Sequence, residues 1–396
     1  MSKTHSESLE RRVVVLGANG AEKTFVISAL RGQTEYEIAK SSVDCVRTTA
    51  EINGRTFTCV DTPGWWRNYS AVDTAEYIKR KLVLSVLECP PGPHVFLLVV
   101  RCEAPFGGQE RRAFEQHLGL FGDNIWEHII VVFTSGEGQK TKSIKEHIEG
   151  GGEALKWLVS KCGNRCHMLH SVQKGDKSAV TELLAGIDEV VAENNGSYFR
   201  CEDRILEYVE EKRKADKEKA ASRVHMIGNM RKMNEKVVAY SAPELQLLLV
   251  GWLESGKTFA RKTILGLKDI ERKRTNQTSR KSEEINGRQI SVVDTPGWYK
   301  YMPAQYLPNR VKAEIQRGLT QDSKNPHAVL LAIPVCTAFQ EEQRKITEDN
   351  MKMMFGERVW RHTIVLFTAG DMLGDTNIEE HIETGAMRKI LALWTC

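Results

Sequence analysis

The sequence lacks several features that would assign a protein to a class at once. Its apolar runs, such as LQLLLVGW and VFLLVV, are far shorter than the ~20 residues that cross a bilayer. The first ten residues, MSKTHSESLE, have no apolar segment typical of a secretory signal. A net charge of +4 gives no strongly basic surface. We therefore expect a cytoplasmic protein with no membrane segment and no nucleic-acid partner; a membrane anchor beyond Cys396 stays open.

Cysteine gives no sign of a disulfide-stabilised fold. The nine cysteines are odd in number and scattered along the chain, whereas disulfide frameworks use even sets in short secreted chains. A reducing compartment is therefore expected. With 41% hydrophobic and 27% charged residues the composition is that of a globular protein, and 396 residues suffice for two domains with separate cores.

What the sequence does contain is an internal repeat. EINGR at 51–55 recurs at 284–288, DTPGW at 61–65 recurs at 294–298, and FGDNIWEHIIVVFT at 121–134 is similar to FGERVWRHTIVLFT at 355–368. Similar segments in one order and at nearly one offset indicate a tandem duplication. We predict domains at 10–199 and 243–396, joined by a charged helical connector at 200–242, and expect the second copy to stop before its last strand and helix.

Each copy alternates short apolar runs with helical stretches. RRVVVLG, RTFTCVD, HVFLLVV and HIIVVFT read as strands of the first copy. Apolar strands of this length that alternate with helices are typical of an α/β fold with a mainly parallel central sheet flanked by helices. Ligands of such sheets bind at the carboxyl ends of the strands. The motifs described next fall at those ends.

The segment GWLESGKT at 251–258 matches the phosphate-binding pattern G-x-x-x-x-G-K-[ST]. Gly251 and Gly256 allow the backbone to turn its N–H groups toward phosphate oxygens. Lys257 is expected to neutralise the phosphates, and the Thr258 hydroxyl to coordinate Mg²⁺. The preceding strand LQLLLVG and the following helix FARKTILGL supply the context that this motif requires.

Two further motifs complete the expected site of the second copy. In VVDTPGW, Asp294 at a strand end is expected to hold Mg²⁺ through water, and Gly297 to contact the γ-phosphate. In VLFTAGD, Asp371 is placed to accept hydrogen bonds from guanine N1–H and N2–H₂, which adenine does not offer, and so to select GTP over ATP. The residues expected to bind nucleotide are Gly251, Trp252, Leu253, Glu254, Ser255, Gly256, Lys257, Thr258, Phe259, Thr275, Asp294, Gly297 and Asp371.

The phosphate loop, DTPGW, the GPH-led apolar strand and the FGxxxWxHxIVxFT block together resemble the immunity-associated GTPase family, also called the GTPase IMAP or AIG-type family. The resemblance covers about 12–199 and 244–396. It implies tandem P-loop GTPase domains that bind GTP or GDP with Mg²⁺, homo- or hetero-oligomers with related G domains paired across the nucleotide face, and a role in immunity.

Departures from that family pattern bear on hydrolysis and on one mobile loop. GTPases that use a glutamine to orient water place it directly after the glycine of D-x-x-G, but Trp65 and Trp298 stand there. Hydrolysis is therefore expected to be slow or assisted, and no catalytic residue is assigned. Gly370 stands where a lysine often precedes the base-reading Asp. For the threonine that senses the γ-phosphate, Thr275 is preferred over Thr278.

The first copy is expected to be a degenerate, pseudo-GTPase domain. Its loop, GANGAEKT at 17–24, has Glu22 where the second copy has glycine. A carboxylate about 4 Å from a phosphate at an effective dielectric of ~20 costs on the order of 4 kcal/mol, roughly a thousandfold in affinity. Asp44 or Ser42 occupies the place of the sensing threonine. The residues of this degenerate site are Gly17, Glu22, Lys23, Thr24, Asp61, Gly64 and Glu137.

Two other classes of function stay open from the sequence. A nucleotide-independent interaction scaffold is favoured by the expected loss of the last strand and helix from the second copy. An ATPase or kinase is disfavoured by Asp371 and by the lack of a second catalytic acid. Nucleotide preference discriminates between these classes.

Overall fold

The computed structural model describes residues 10–32, 43–136, 143–170, 177–234, 243–267, 276–320 and 325–392. The chain divides into two compact units, Met1–Lys214 and Ala215–Cys396. Each unit contains one central sheet with helices. The α/β fold class with mainly parallel sheets is confirmed.

The first unit contains a six-stranded sheet. Its strands are β1 Glu10–Gly17, β2 Val46–Ile52, β3 Arg55–Asp61, β4 Val95–Arg101, β5 Ile129–Ser135 and β6 Cys166–His170. They lie in the order β2-β3-β1-β4-β5-β6. The β2–β3 pair is antiparallel and the other four pairs are parallel. The carboxyl ends of β1, β3, β4 and β5 therefore meet at one edge.

The described part of the second unit contains a five-stranded sheet of the same kind. Its strands are β7 Glu244–Val250, β8 Ser279–Ile285, β9 Arg288–Asp294, β10 Ala328–Pro334 and β11 Thr363–Thr368. Their order is β11-β10-β7-β9-β8, with the β8–β9 pair antiparallel and the others parallel. The shared core of both sheets thus has one topology, as a duplication requires.

Helices flank both sheets. In the first unit they are α1 Lys23–Leu30, α2 Glu76–Leu84, α3 Gly108–Leu118, α4 Ile144–Gly150, α5 Gly152–Lys161 and α6 Lys177–Glu193. A long helix, α7 Asp203–Asn234, spans the boundary between the units. The second unit adds α8 Lys257–Ile264, α9 Asn309–Thr320, α10 Glu341–Phe355, α11 Ile378–Ile382 and α12 Met387–Ala392. None of the described helices is long and apolar enough to cross a membrane.

Both faces of the second sheet are buried at its central strands, which explains why β7 and β10 are mostly apolar. Along β7, Leu247 and Leu249 pack in one buried cluster with Ala260 of α8. Leu248 and Val250 point to the other face and pack in a second cluster. Because successive side chains of a strand alternate between faces, a run of leucines is needed when both faces are covered.

The antiparallel edge strands β2 and β8 were not predicted from the sequence. Both carry charged and exposed residues, as in SRKSEEI, and so lack an apolar run. The signal that marks them is the Asn-Gly pair between each edge strand and its neighbour. Asn53 and Gly54, like Asn286 and Gly287, adopt positive φ, and two such residues in succession make the tight turn of a β-hairpin.

Candidate functional site

The phosphate loop of the second unit lies between β7 and α8. Gly251 has a φ of +146° and Gly256 a φ of +82°, the latter in the left-handed region that favours glycine. A Cβ on Gly256 would also lie 3.0 Å from Thr368 at the end of β11. The Thr368 hydroxyl donates a 2.7 Å hydrogen bond to Ser255 O. The loop is thus fixed against the neighbouring strand end, and glycine fits both requirements at 256.

Lys257 is enclosed by this loop. Its Nζ donates to Trp252 O at 2.7 Å and to Gly251 O at 3.2 Å. Burial lowers the pKa of Lys257 to about 8, while the charge of Asp294 acts in the opposite direction. A buried ammonium held by carbonyl oxygens is poised to gain from a bound anion, because the anion replaces the hydration that the charge has lost.

The two predicted magnesium ligands converge at the end of β9. Thr258 Oγ1 donates to Asp294 Oδ2 at 2.7 Å, and Asp294 is fully buried. One hydroxyl and one carboxylate beside a phosphate loop are oxygen donors of the kind that Mg²⁺ takes from a protein when phosphates and water supply the remainder. The residues present therefore fit the metal.

Sequence reasoning missed a third group beside these ligands, Arg261. Its Nη1 lies 3.7 Å from Asp294 Oδ2 and donates at 2.6 Å to Ser279 Oγ on β8. Aligning the repeats at the phosphate loop puts Ile27 at this position in the first copy, so the difference between the copies was the available signal. The guanidinium supplies positive charge where the metal is expected.

The DTPGW segment closes over the loop. A Cβ on Gly297 would lie 2.5 Å from Leu253 N and 2.6 Å from Trp252 C, so the close approach requires glycine. Leu253 N donates to Trp298 O at 2.7 Å. The Trp298 side chain is 1% exposed and packs in the core. It therefore anchors the segment and presents no polar atom to a water at this position.

The remaining predicted residues of the second site have distinct placements. Asp371 is exposed and lies three residues after Thr368, beyond Ala369, which has a φ of +57°, and Gly370. Glu254 also has positive φ, whereas Phe259 is 73% exposed. The Trp252 indole is buried against Phe339, so only its backbone faces Lys257.

One of the two candidate threonines for sensing the γ-phosphate lies within the described residues. Thr275 lies outside the described residues. Thr278 is buried; its N–H donates to Glu314 Oε2 at 2.8 Å, and its hydroxyl donates to Glu314 O. Thr278 is thus committed to α9.

The first unit keeps most of the same framework. Lys23 Nζ donates to Gly17 O and Ala18 O, and burial lowers the pKa of Lys23 to about 8. Thr24 Oγ1 donates to Asp61 Oδ2 at 2.6 Å. A Cβ on Gly64 would lie 2.7 Å from Asn19 N. These contacts match those of the second unit group for group.

Glu22 departs from this framework. It holds the left-handed conformation of Gly256, with φ 68° and ψ 35°, which costs a non-glycine residue roughly 1–2 kcal/mol. Its Oε1 lies 3.7 Å from Arg101 Nη2 at the end of β4, and Oε2 is buried with no hydrogen-bond partner among the described residues. Arg101 therefore offsets part of the charge of Glu22.

Arg101 itself was missed by the sequence reasoning. Its Nε also pairs with Glu103 Oε2 at 3.0 Å, and Glu103 Oε1 accepts from Gly136 N at 2.6 Å. In the aligned repeats Glu22 and Arg101 replace Gly256 and Pro334 together. The joint difference at these two positions was the signal in the sequence for the Glu22–Arg101 contact.

Three predicted positions of the first copy remain, and one of them lies within the described residues. Glu137 and Ser42 fall outside them. Asp44 is described and forms an ion pair with Lys81 of α2.

Both units contain the same three features. A phosphate loop follows the first strand, a buried lysine lies within that loop, and a threonine–aspartate pair lies at the end of β3 or β9. Together these features define tandem P-loop domains of the G-domain type. A model of the AIG1 family matches residues 11–221 and 245–395. The chain therefore belongs to the AIG1 family.

Similar proteins agree with this assignment. GTPase IMAP family member 8 of Homo sapiens is 23% identical over 398 residues, which cover 96% of this chain and 52% of that protein. Immune-associated nucleotide-binding protein 9 of Arabidopsis thaliana is 30% identical over 210 residues, or 50% of this chain and 60% of that one. The chain thus spans about half the length of the IMAP relatives it matches.

Among solved structures, Toc33 from Arabidopsis thaliana in complex with Mg²⁺ and GMPPNP matches with a TM-score of 0.38 at 16% identity, covering 47% of this chain and 85% of that one. The G domain of the T. maritima FeoB iron transporter matches with a TM-score of 0.30 at 18% identity, covering 46% and 99%.

Proposed function

We propose that the second unit binds GTP with Mg²⁺ and acts as a guanine-nucleotide switch. The observation that carries the proposal is the convergence of Lys257, Thr258 and Asp294 at the loop between β7 and α8. Membership of the AIG1 family supports it. GTP or GDP would be the cofactor and the principal ligand, and pairing with related G domains would supply the partners.

Each residue has a role that follows from its position. Lys257 would neutralise the phosphates, and the backbone of 251–258 would donate to their oxygens. Thr258 and, through water, Asp294 would hold Mg²⁺, which when bound neutralises charge on the β- and γ-phosphates. Arg261 would keep Asp294 oriented, since it contacts the same carboxylate oxygen.

We further propose that hydrolysis is slow unless a second molecule supplies a group. The support is the burial of Trp298, which occupies the position after Gly297 with an apolar anchor. A water there would lack the side chain that orients it in glutamine-dependent GTPases. The catalytic residue therefore stays unassigned.

For the first unit we propose weak or absent nucleotide binding. Glu22 supports this through backbone strain and through a carboxylate oxygen buried at the loop without a hydrogen-bond partner among the described residues. Arg101 offsets part of the charge, so the loss should be smaller than an unpaired carboxylate would give.

A nucleotide-independent scaffold is the second candidate. One observation favours it: in both units the third residue of the loop donates its N–H to a tryptophan carbonyl, Asn19 to Trp65 and Leu253 to Trp298, each at 2.7 Å. Those N–H groups are engaged within the protein.

Base selectivity tests the main proposal. Asp371→Asn should weaken GTP binding by about 10²-fold, since the amide cannot accept both guanine donors, and should favour xanthosine triphosphate, whose O2 accepts from the amide. Competition by GTP, XTP and ATP against a fluorescent GTP analogue measures this. Asp375→Asn, in the same loop, is the matched control. Stronger competition by ATP than by GTP in the wild type would refute the guanine assignment.

A further inference from the structure

A cavity of 380 Å³ lies in the first unit beside the first half of the phosphate loop. Its wall combines residues 18–21 of the loop, 66–68 after DTPGW, residues 99–101 and 104–106 at and beyond the end of β4, and Phe114 of α3. Trp66 on this wall is 41% exposed. The function proposed above makes no use of this cavity.

In the second copy, the side chain of Trp252 lies at the position that corresponds to this part of the first copy. In the aligned repeats Ala18 corresponds to Trp252, Arg67 to Lys300 and Phe106 to Phe339. The Trp252 indole lies nearly parallel to the Phe339 ring, with centroids 6.0 Å apart and planes at 13°. Lys300 Nζ lies 5.9 Å from the centroid of the indole. The indole thus has a ring and a cation as neighbours.

The two cations make equivalent hydrogen bonds to main-chain oxygens in the two copies. Arg67 Nη1 donates to Pro105 O at 3.2 Å, and Lys300 Nζ donates to Ala338 O, the aligned position, at 2.9 Å. The first unit therefore keeps the ring and the cation but has a methyl group, Ala18, where the indole begins. Phe114 replaces Thr347, and its ring packs edge-on against that of Phe106 with centroids 5.1 Å apart, so it fills part of the space beside Phe106. A cavity of about 380 Å³ remains.

We propose that this cavity binds a planar aromatic ring of about indole size, with Phe106 and Arg67 as its neighbours. Apolar cavities of ~150 Å³ already bind benzene, and ring stacking and a cation near the ring face add to burial. A neutral ring is favoured, because Arg67 pairs with Glu110, and Arg101 pairs with Glu22 and Glu103. The ring belongs to a small aromatic compound or to an aromatic side chain.

The test is a titration of the full chain with 5-fluoroindole, followed by ¹⁹F NMR in the absence of nucleotide. Wild type should show one saturable site. Ala18→Trp, which supplies the ring from within, should bind roughly tenfold more weakly or not at all. Trp252→Ala, which opens the equivalent space, should add a second site. Because no nucleotide is present, the result is independent of GTP binding by the second unit.

Two controls keep the outcome decisive. Circular dichroism and thermal unfolding show whether Ala18→Trp folds, and Phe106→Leu, which keeps bulk but removes the ring, should weaken binding by about three- to tenfold. Competition by N-acetyltryptophanamide would identify a side chain as the source of the ring, whereas its failure to compete would favour a small compound. No saturable binding to wild type, or unchanged binding to both Ala18→Trp and Phe106→Leu, would overturn the proposal.

Discussion

At the scale of single residues, the two phosphate loops differ most where Glu22 replaces Gly256. The glutamate accepts a left-handed backbone and directs one carboxylate oxygen toward Arg101. Because Pro334 stands at the position of Arg101 in the second copy, the first copy alone has both the carboxylate and the cation. The first loop is therefore an alternative to the glycine loop in which Arg101 offsets part of the charge of Glu22.

Arg101→Ala should show that this pair is coupled. The substitution should lower the free energy of unfolding by about 0.5–1 kcal/mol more when Glu22 is present than in a Glu22→Gly background. This difference is the size expected for a partly exposed ion pair. Urea unfolding of the four proteins measures the cycle. The Arg101–Glu103 pair persists in both backgrounds and so cancels. Equal costs in the two backgrounds would show that the pair contributes nothing.

His117 is the residue that should make the first unit sensitive to acid. It is fully buried and stacks on Trp65 with centroids 4.7 Å apart. Burial lowers the pKa of His117 to about 4 from 6.5, opposed by a hydrogen bond to Ala113 O. Below pH 6.5 the unfolded chain therefore binds more protons at His117 than the folded chain does. Keeping His117 neutral and buried costs no stability above pH 6.5, but the free energy of unfolding declines from pH 6.5 toward pH 4, by up to about 3 kcal/mol.

His117→Asn should remove that decline, because the aligned position in the second copy is Asn350, which does not titrate. The free energy of unfolding of the first unit should fall less between pH 6.5 and 4 in the variant than in wild type, whatever its value at neutral pH. Urea unfolding at a series of pH values gives the slope. A slope unchanged from wild type would contradict the role of His117; His94, whose pKa burial lowers to about 3, titrates in both proteins.

At the scale of elements, the position of the second DTPGW segment depends on the close approach at Gly297. Gly297→Ala should destabilise the second unit by about 1–3 kcal/mol, because the new methyl group would meet backbone atoms of Trp252 and Leu253. It should also weaken nucleotide binding by moving the segment away from the loop. Thermal unfolding and nucleotide titration check both effects.

Gly228→Ala is the matched control for that variant. Gly228 lies within α7, and a Cβ there would meet nothing within 4 Å. Alanine should therefore stabilise the helix by about 0.5–1 kcal/mol. If Gly297→Ala behaved like Gly228→Ala, the close approach would not constrain the segment.

The sequence predicts the elements whose signals are local, such as apolar runs and short motifs, and does not predict contacts between distant segments. Apolar runs such as LQLLLV identify buried strands because both faces are covered, and the phosphate loop is local in sequence. The edge strand β8 has neither property, and only the Asn286–Gly287 turn marks it. The Glu22–Arg101 contact joins two elements far apart in sequence, so periodicity cannot predict it and only comparison of the repeats suggests it.

At the scale of the whole molecule, the account rests on a division of roles between two copies of one domain. The copies share topology, the buried lysine and the threonine–aspartate pair. They differ within the loop, at Ala18 and Glu22 of the first copy, and on the following helix, at Arg261 of the second. The two copies thus share one framework, and we propose that these differing residues set what each copy binds.

Counting nucleotide sites tests this division most directly. The full chain would be titrated with a fluorescent GTP analogue and Mg²⁺, together with Lys257→Ala and Lys23→Ala, which remove the equivalent buried lysine from one copy at a time. The account predicts one site, abolished by Lys257→Ala and unchanged by Lys23→Ala. Two sites of similar affinity, or a single site that depends on Lys23, would contradict it.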